Sequence, residues 1–485
     1  MNRTILLRTR AILLASGAAM LGACARTPVP QLEITDIPID WQGELAENAD
    51  VWPNTDWWTN FGSEELAEII ELVKSNNFDY QNNLRNLETA EIALREADLA
   101  LLPTPNVSVN TNASTTVSQV GDGPTNNGGS AGPFRLSASA SYGNVLGIPL
   151  RHEQALNQYQ SSRAQISNTA LRTLQTAAQA YFQLLFLRDQ IEVTRQNIEN
   201  AQRILEFTQA RVEAGVEIEI NLLSQQINVQ NLELNLQSQI QQDFQRRAAL
   251  ALLMGRGVQG FDIEGQTLEG IVVPEVRPGL PSELLTRRPD LVQAEIQLRN
   301  AAISVDTARL NFLPSISLSG SAGSSSAALI DIVSDPAQSS FSLSASLAQS
   351  LLDNGSRRRN VERARITLES QLASYRQTVI SVFNEVDVTL NSMALTKEQG
   401  GIIQRQLEQA EEQFRLAELR YEQGVTNFQT VIQAQNQLVS ARNQVLSNRL
   451  TQLNDVLNFY VALGGGWEAG ELLIEQPAYQ VTASN

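Results

Sequence analysis

From Arg151 to Val212 the chain runs 62 residues without a proline or a glycine, the two residues that most readily end a helix. The same is true from Arg357 to Ala394. A helix of roughly 60 residues, at ~1.5 Å each, is about 90 Å long, more than an ordinary globular domain spans. Such rods must be covered along their length by other helices. Leu368, Leu372, Tyr375, Val379, Val382 and Val386 are spaced 4, 3, 4, 3, 4, which is a coiled-coil seam. The pattern resumes after Gly400-Gly401 and runs to Tyr421, so the glycine pair predicts a kink or a loosened turn.

The chain is a tandem repeat. Arg211-Val-Glu-Ala-Gly215-Val216 recurs 209 residues later as Arg420-Tyr-Glu-Gln-Gly424-Val425. Leu253-Met-Gly255 recurs at the same offset as Ala462-Leu-Gly464. Leu136-Ser-Ala-Ser139 matches Leu343-Ser-Ala-Ser346, and Leu101-Leu-Pro103 matches Phe312-Leu-Pro314. Landmarks in one order at nearly one offset indicate duplication. Each half reads helix, Leu-Pro stop, strand, loop, strand, long helix, Gly-Val turn, helix, Gly stop. Helices over 84–102 and 220–254 together come near the length of 151–212. Those over 290–312 and 428–462 come near that of 357–422. Two shorter helices stacked end to end can therefore flank each long one.

Between the helices lie strands of period two. Val107, Val109 and Thr111 alternate with Ser108, Asn110 and Asn112; Phe134, Leu136, Ala138, Ala140 and Tyr142 alternate with Arg135, Ser137, Ser139 and Ser141. In the second half Ile316, Leu318, Gly320 and Ala322 alternate with serines 315 to 321, and Phe341, Leu343, Ala345 and Leu347 with serines 340 to 346. Each run has about 9–11 residues, enough to cross a bilayer as a tilted strand. A serine-rich face suits a water-filled lumen. The connections Val117–Pro133 and Gly323–Gln338 read as long outward loops. Four strands cannot close a barrel, and lipid does not tolerate an open edge, so the barrel must be shared: eight strands from a dimer or twelve from a trimer.

Composition removes other classes. Acids outnumber bases 52 to 35, a net charge of −17, which excludes a binder that neutralises nucleic-acid phosphates. His152 is the one histidine and Cys24 the one cysteine, which argues against a Cys/His nucleophile and a multi-His/Cys metal site and leaves no internal disulfide. An enzyme, a cofactor site and a helical membrane protein (mean hydropathy −0.18) are not expected. The N-terminus carries Arg3, Arg8 and Arg10, then an uncharged stretch from Ala11 to Ala23. That is a signal peptide over 1–23. Leu21-Gly22-Ala23-Cys24 resembles a bacterial lipobox, which implies cleavage before Cys24 and acylation of that residue; Ala25 favours sorting to the outer membrane. Removing 23 of 485 residues leaves a mature chain of 462. Several acyl chains anchor stably where one would be marginal.

Other features take ordinary readings. Gly255-Arg-Gly257-Val-Gln-Gly260 follows a helix and not a strand, so it is a helix stop and not a dinucleotide loop. His152 is a solvated helix-end residue. Pro289 fits the first turn of a helix. Arg357, Arg358 and Arg359 start a helix at a corner that exposure or lipid headgroups would equally explain. Trp41, Trp52, Trp57, Trp58 and Phe61 are expected to pack the N-terminal segment.

The whole arrangement resembles the TolC-like outer-membrane efflux duct family, in its OprM-like lipoprotein subgroup. The resemblance rests on the Leu-Pro stops at Pro103 and Pro314, Leu285-Thr-Arg-Arg-Pro-Asp290, Leu352-Asp-Asn-Gly-Ser-Arg357, Arg420-Tyr-Glu-Gln-Gly-Val425 and Leu463-Gly-Gly-Gly-Trp467. It implies a mixed fold, part all-α and part transmembrane β-barrel: a homotrimer, twelve shared strands, and a coiled-coil α-barrel in the periplasm of a Gram-negative bacterium. The implied divisions are a lipidated segment 24–80, a first repeat 81–255, a linker 256–288, a second repeat 289–464 and a C-terminal segment 465–485. Segments 24–80, 256–288 and 465–485 build an equatorial domain. The resemblance also implies a passive exit duct for small molecules, fed by an inner-membrane pump through a periplasmic adaptor. The rivals are a type I protein secretion duct and a structural lipoprotein tether. By the same resemblance Arg211, Gly215, Val216, Arg420, Gly424 and Val425 form the adaptor-docking tip, with the gate just inside. Positions that are often aspartate in the family are Asn221, Thr430 and Gln433 here, while Tyr421 is kept. These four are expected to close the mouth by neutral hydrogen bonds, with Glu217 and Glu219 the nearest acids.

Overall fold

The computed structural model describes residues 26–30, 41, 50–51, 53–100, 102–119, 124–277, 281–326, 333, 338–350 and 352–467; side chains of 50–51, 112–119, 124–133, 276–277 and 282 are excluded from that description. The lipobox expected at Cys24, Trp52 and most of 465–485 lie outside the described residues. A leading helix α1 (Glu64–Asn76) precedes two copies of one pattern. The first copy is α2 (Phe78–Leu99), β1 (Thr104–Gln119), β2 (Pro124–Tyr142), α3 (Ile148–Glu213) and α4 (Glu219–Leu253). The second is α5 (Pro289–Leu310), β3 (Ser315–Ser326), β4 (Gln338–Ala348), α6 (Ser356–Glu422) and α7 (Phe428–Ala462). The chain forms two compact units, one from residues 1–31, 88–161 and 295–374, the other from 32–87, 162–294 and 375–485. Among the described residues no helix is long and apolar enough to cross a membrane.

In the first unit the strands form one antiparallel sheet in the order β1-β2-β3-β4. The two repeats join side by side through β2 and β3, in the register Ser139↔Ser321 and Ser141↔Ser319. β1 and β4 are the two edges. The alternation seen in the sequence survives as rows of residues. Thr104, Ser141, Ser319 and Ser344 form one row; Asn106, Ser139, Ser321 and Ser342 form another. Serine hydroxyls bond across the strands, Ser319 to Ser344 at 2.8 Å, Ser321 to Ser342 at 2.7 Å and Ser108 to Ser137 at 2.8 Å. The opposite face carries Val107, Ala138, Ala322 and Phe341 in one row.

The first hairpin departs from expectation. β1 and β2 have 16 and 19 residues, beyond the spanning length expected, and Val117 pairs with Asn126. The long loop expected at Val117–Pro133 is therefore mostly strand, and the connection shrinks to residues 120–123. Ladder bonds are made by the backbone, so the Gly- and Asn-rich composition there did not prevent pairing. Register shifts between Thr111 and Ala113, and between Ser114 and Thr116, absorb the irregularity.

The second correction concerns Gly400-Gly401. α6 runs through it as one helix of 67 residues, with no loosened turn. The glycine serves packing instead. A Cβ at Gly400 would lie 2.9 Å from both Asn448 Oδ1 and Gln452 Nε2 of α7. Asn448 and Gln452 donate to the Thr396 carbonyl at 3.1 and 3.4 Å, so the two helices touch here through amides.

The second unit has the main core. Trp57, Phe61, Phe182, Phe459 and Tyr460 are fully or almost fully buried. Trp57 stacks on Tyr460 at 5.5 Å, and Phe61 meets Phe182 at 5.2 Å. Trp41 lies 6.0 Å from Phe383. The tryptophan-rich segment packs, as expected. Arg288, one residue before α5, is buried at 6 % exposure. It bonds Asp290 Oδ2 at 2.6 Å, Glu385 Oε2 of α6 at 2.6 Å and the Ala462 carbonyl ending α7 at 3.0 Å. Burial opposes its charge, but bonds to Asp290 and Glu385 outweigh it and hold the guanidinium above its ordinary value. Pro289 begins α5, as the sequence predicts. His152 sits in the first turns of α3, where Nε2 lies 2.8 Å from Asp98 Oδ1.

The helix stops are equivalent. Gly215, Gly255, Gly424 and Gly464 all have positive φ, between 70 and 87°. At each, the glycine N–H bonds three residues back and the next N–H bonds five back: Val216 to Arg211 at 3.0 Å, Arg256 to Ala251 at 3.0 Å, Val425 to Arg420 at 2.8 Å, Gly465 to Tyr460 at 2.8 Å. These are Schellman motifs. Their surroundings differ. A Cβ at Gly464 would lie 2.0 Å from the Arg287 carbonyl, whereas one at Gly215 would meet nothing within 4 Å. Gly215→Ala should cost only left-handed strain, about 1–2 kcal/mol. Gly464→Ala adds a backbone clash and should cost more than about 3 kcal/mol. Denaturant unfolding of both variants checks this; equal losses would show that the close approach at Gly464 does not matter.

Candidate functional site at the helix turns

The turn after α3 (214–218) and the turn after α6 (423–427) lie beside one another through a shared side-chain cluster. Its apolar floor is Ile204, Ala410, Phe414, Ala417, Tyr421, Phe428, Val431 and Ala434. Tyr421 is the centre. It is 2 % exposed, with its ring 5.4 Å from Phe207 and 6.2 Å from Phe428. The Arg211 guanidinium lies 5.2 Å from the Tyr421 ring, a cation–π arrangement. Thr208 commits its proton to the Ile204 carbonyl at 2.7 Å, so toward the Tyr421 hydroxyl, 3.3 Å away, it can only accept. The single phenolic proton is thus shared between Thr208 and Glu217 Oε2, the latter at 3.4 Å.

Glu217 ties the cluster together. Its Oε1 accepts from Asn221 Nδ2 at 2.8 Å and from the Ile218 N–H at 3.3 Å. Its Oε2 faces Arg211 Nε at 3.8 Å. The two charged side chains are 14 % and 23 % exposed. Burial raises the Tyr421 phenol above its ordinary value and the Glu217 charge adds to the rise, while Thr208 and Arg211 oppose it. The hydroxyl is therefore a donor throughout the physiological range.

This corrects the neutral set expected from the sequence. Asn221 and Tyr421 do come together, but through a carboxylate paired with an arginine. Glu217 stands four residues before Asn221, in the turn that leads into α4, so an acid is present although position 221 is an amide. Thr430 is not in the cluster: it is exposed, its Oγ1 donates to Asn427 Oδ1 at 2.8 Å, and its N–H donates to the same atom at 3.0 Å. It serves the N-cap of α7. Gln433 is exposed and outside the cluster. Glu219 is exposed in the first turn of α4, where its charge suits the helix dipole. Arg420 is exposed, and its carbonyl accepts from Val425.

Sequence reasoning missed Arg211 and Thr208 as partners of Tyr421. It also missed the buried amides that hold α3 to its neighbours. Gln225 of α4 donates to the Ala201 carbonyl at 2.7 Å, and Gln435 of α7 to Asn197 Oδ1 at 2.7 Å. A glutamine in a chain full of amides gives no signal until its burial is known. At the turns themselves Val216, Ile218, Ile220 and Val425 are 61–71 % exposed, an apolar surface on both turns.

A family model described as outer membrane efflux protein matches residues 69–256 and again 280–465, the two repeats. The chain is 29% identical over 461 residues to the pyoverdine export outer membrane protein OpmQ of Pseudomonas aeruginosa, covering 94% of this chain and 97% of that one. It is 28% identical over 468 residues to the toluene efflux pump outer membrane protein TtgC of Pseudomonas putida, covering 94% and 95%. Among solved structures, the CmeC outer membrane channel of Campylobacter jejuni matches with a TM-score of 0.82 at 21% identity, over 93% of this chain and 97% of that one. The open state of the MtrE outer membrane channel of Neisseria gonorrhoeae matches with a TM-score of 0.77 at 24% identity, over 91% and 99%. These structural likenesses establish the fold.

The Arg211–Glu217 pair generates a direct prediction. In a double-mutant cycle of Arg211→Ala and Glu217→Ala, denaturant unfolding should give a coupling of about 0.5–3 kcal/mol, reduced by salt. Additive losses would show that the pair is incidental.

Proposed function

The chain belongs to the outer membrane efflux protein family, and from that premise we propose that it is the outer-membrane channel of a tripartite efflux system. It is a passive duct for small molecules, fed by an inner-membrane pump through a periplasmic adaptor. The observation that carries this reading is the sheet: hydroxyls on one face, apolar side chains on the other, and unpaired edges on β1 and β4. Exposed Phe341, Leu343 and Leu347 face lipid, and the serine rows face water. Unpaired edges cannot stay open in a bilayer. Three copies pair edge to edge into twelve strands and leave none. The relatives' names, pyoverdine export and toluene efflux pump, support transport of small molecules over protein secretion.

In this reading Cys24 carries the lipid anchor, and the turns at Gly215 and Gly424 form the tip that meets the adaptor. Their exposed Val216 and Val425 supply the apolar contact. The Arg211–Glu217–Tyr421 cluster is the gate; it joins helix ends of both repeats, so opening separates charges and must break several bonds at once. Segments 24–80, 256–288 and 465–485 form the equatorial domain.

Native mass spectrometry of the detergent-solubilised protein should report three mature chains with acyl mass. Cys24→Ser should remove the acyl mass. A folded monomer would refute the shared barrel, and acyl mass persisting in the variant would refute the anchor. At the tip, Gly215→Asp and Gly424→Asp place a Cβ at positive φ and an unpaired charge on the docking surface. Both should abolish drug resistance while leaving the trimer intact. Wild-type resistance in either would remove that turn from the docking surface.

A further inference from the structure

The four strands carry a single charged side chain in 58 residues of strand: Arg135 on β2. The register settles which face it is on. Arg135 pairs with Asn110 of β1 and with Ser325 of β3, and Ser325 pairs with Gln338 of β4. Asn110, Arg135, Ser325 and Gln338 thus make one complete row. It is two residues along from the row of Ser108, Ser137, Gly323 and Ser340, on the same hydroxyl face. Phe134 and Leu136, its chain neighbours, stand on the apolar face with Val109 and Ser324. Arg135 is exposed, and no carboxylate on any strand is available to neutralise it.

We infer that Arg135 is a specificity-determining residue: a station that draws anionic solutes (carboxylates, phosphates, sulfonates) into the strand-lined part of the passage. The inference rests on the shared-barrel reading, because closure puts the hydroxyl face around water and brings three copies of Arg135 to one level. Serine hydroxyls donate and accept, so the rows around it favour neither sign of charge. A ring of arginines set in that neutral lining is a known physical means of favouring anions, since low-dielectric walls focus the field of like charges. An arginine reaching for lipid headgroups would instead stand on the apolar face. Asp122, Asp331 and Asp335 belong to the two hairpin connections, outside the described residues.

The test reads the local potential beside Arg135, and it does not require the periplasmic mouth to open. Ser325→Cys places a thiol directly across the strand from Arg135. In intact cells, rates of its modification by an anionic and by a cationic methanethiosulfonate are measured, with the parent chain as the blank. Their ratio cancels any change in thiolate fraction, which affects both reagents alike. Adding Arg135→Gln should lower the anionic-to-cationic ratio about fivefold or more, given three charges within a few Å to ~20 Å of the thiol. Adding Arg135→Lys should keep the ratio near the parent value, and retention of the heat-labile oligomer on gels shows that both variants assemble. If the thiol reacts but Arg135→Gln leaves the ratio unchanged, the station is refuted and the channel reading stands. If neither reagent reaches Ser325→Cys, the hydroxyl face is not a water passage, and both fall.

Discussion

The left-handed turn that ends each long helix is the constraint on which the rest depends. An α-helix of 66 or 67 residues has no internal reason to reverse. A residue at positive φ with two backward backbone bonds supplies one, and glycine adopts it without a Cβ penalty. Gly215 and Gly424 turn the chain so that α4 and α7 run back along the helices that precede them. Gly255 and Gly464 then end those helices where the backbone must pass close to Asn76 and Arg287. The same covalent device is thus used for reversal, where space is open, and for packing, where it is not.

Reversal also sets the electrostatics of the turns. Because α3 ends at Glu213 and α4 begins at Glu219, Arg211 and Glu217 are brought face to face within one short loop. Tyr421 arrives from the other repeat, 204 residues from Glu217, and is held by rings on both sides. A buried phenol, a largely covered ion pair and an amide then satisfy one another. Removing one member leaves others without partners, which is why such a cluster holds a turn in one geometry more firmly than its individual bonds suggest.

Packing of the two repeats follows two different rules. In the sheet they join through the backbone ladder of β2 and β3, where serine and glycine suffice. In the helical unit they join through large side chains, with Trp57 and Phe61 wedged among Phe182 and Tyr460. Duplication therefore does not mean equivalence: the N-terminal tryptophans fill a core that neither repeat closes by itself.

By itself the sequence determined the periodic features. Helix lengths, the offset between repeats, the glycine stops and the alternation of serine with apolar residues all follow from short-range rules that leave a mark at every turn or pleat. Even the tryptophan segment was legible as core, since so many rings cannot stay in water together. Only the tertiary structure decided which residues meet. Glu217 and Tyr421 are neighbours because two chain reversals coincide, and no local pattern records that. Thr430 and Gln433 looked equivalent to Asn221, yet one is bonded to the N-cap of its own helix and the other faces outward. Gly400 looked like a kink or a loosened turn and is a point of close approach to Asn448. The extended first hairpin was hidden as well, because strand pairing is made by backbone groups that every residue but proline carries, whatever the side chains say.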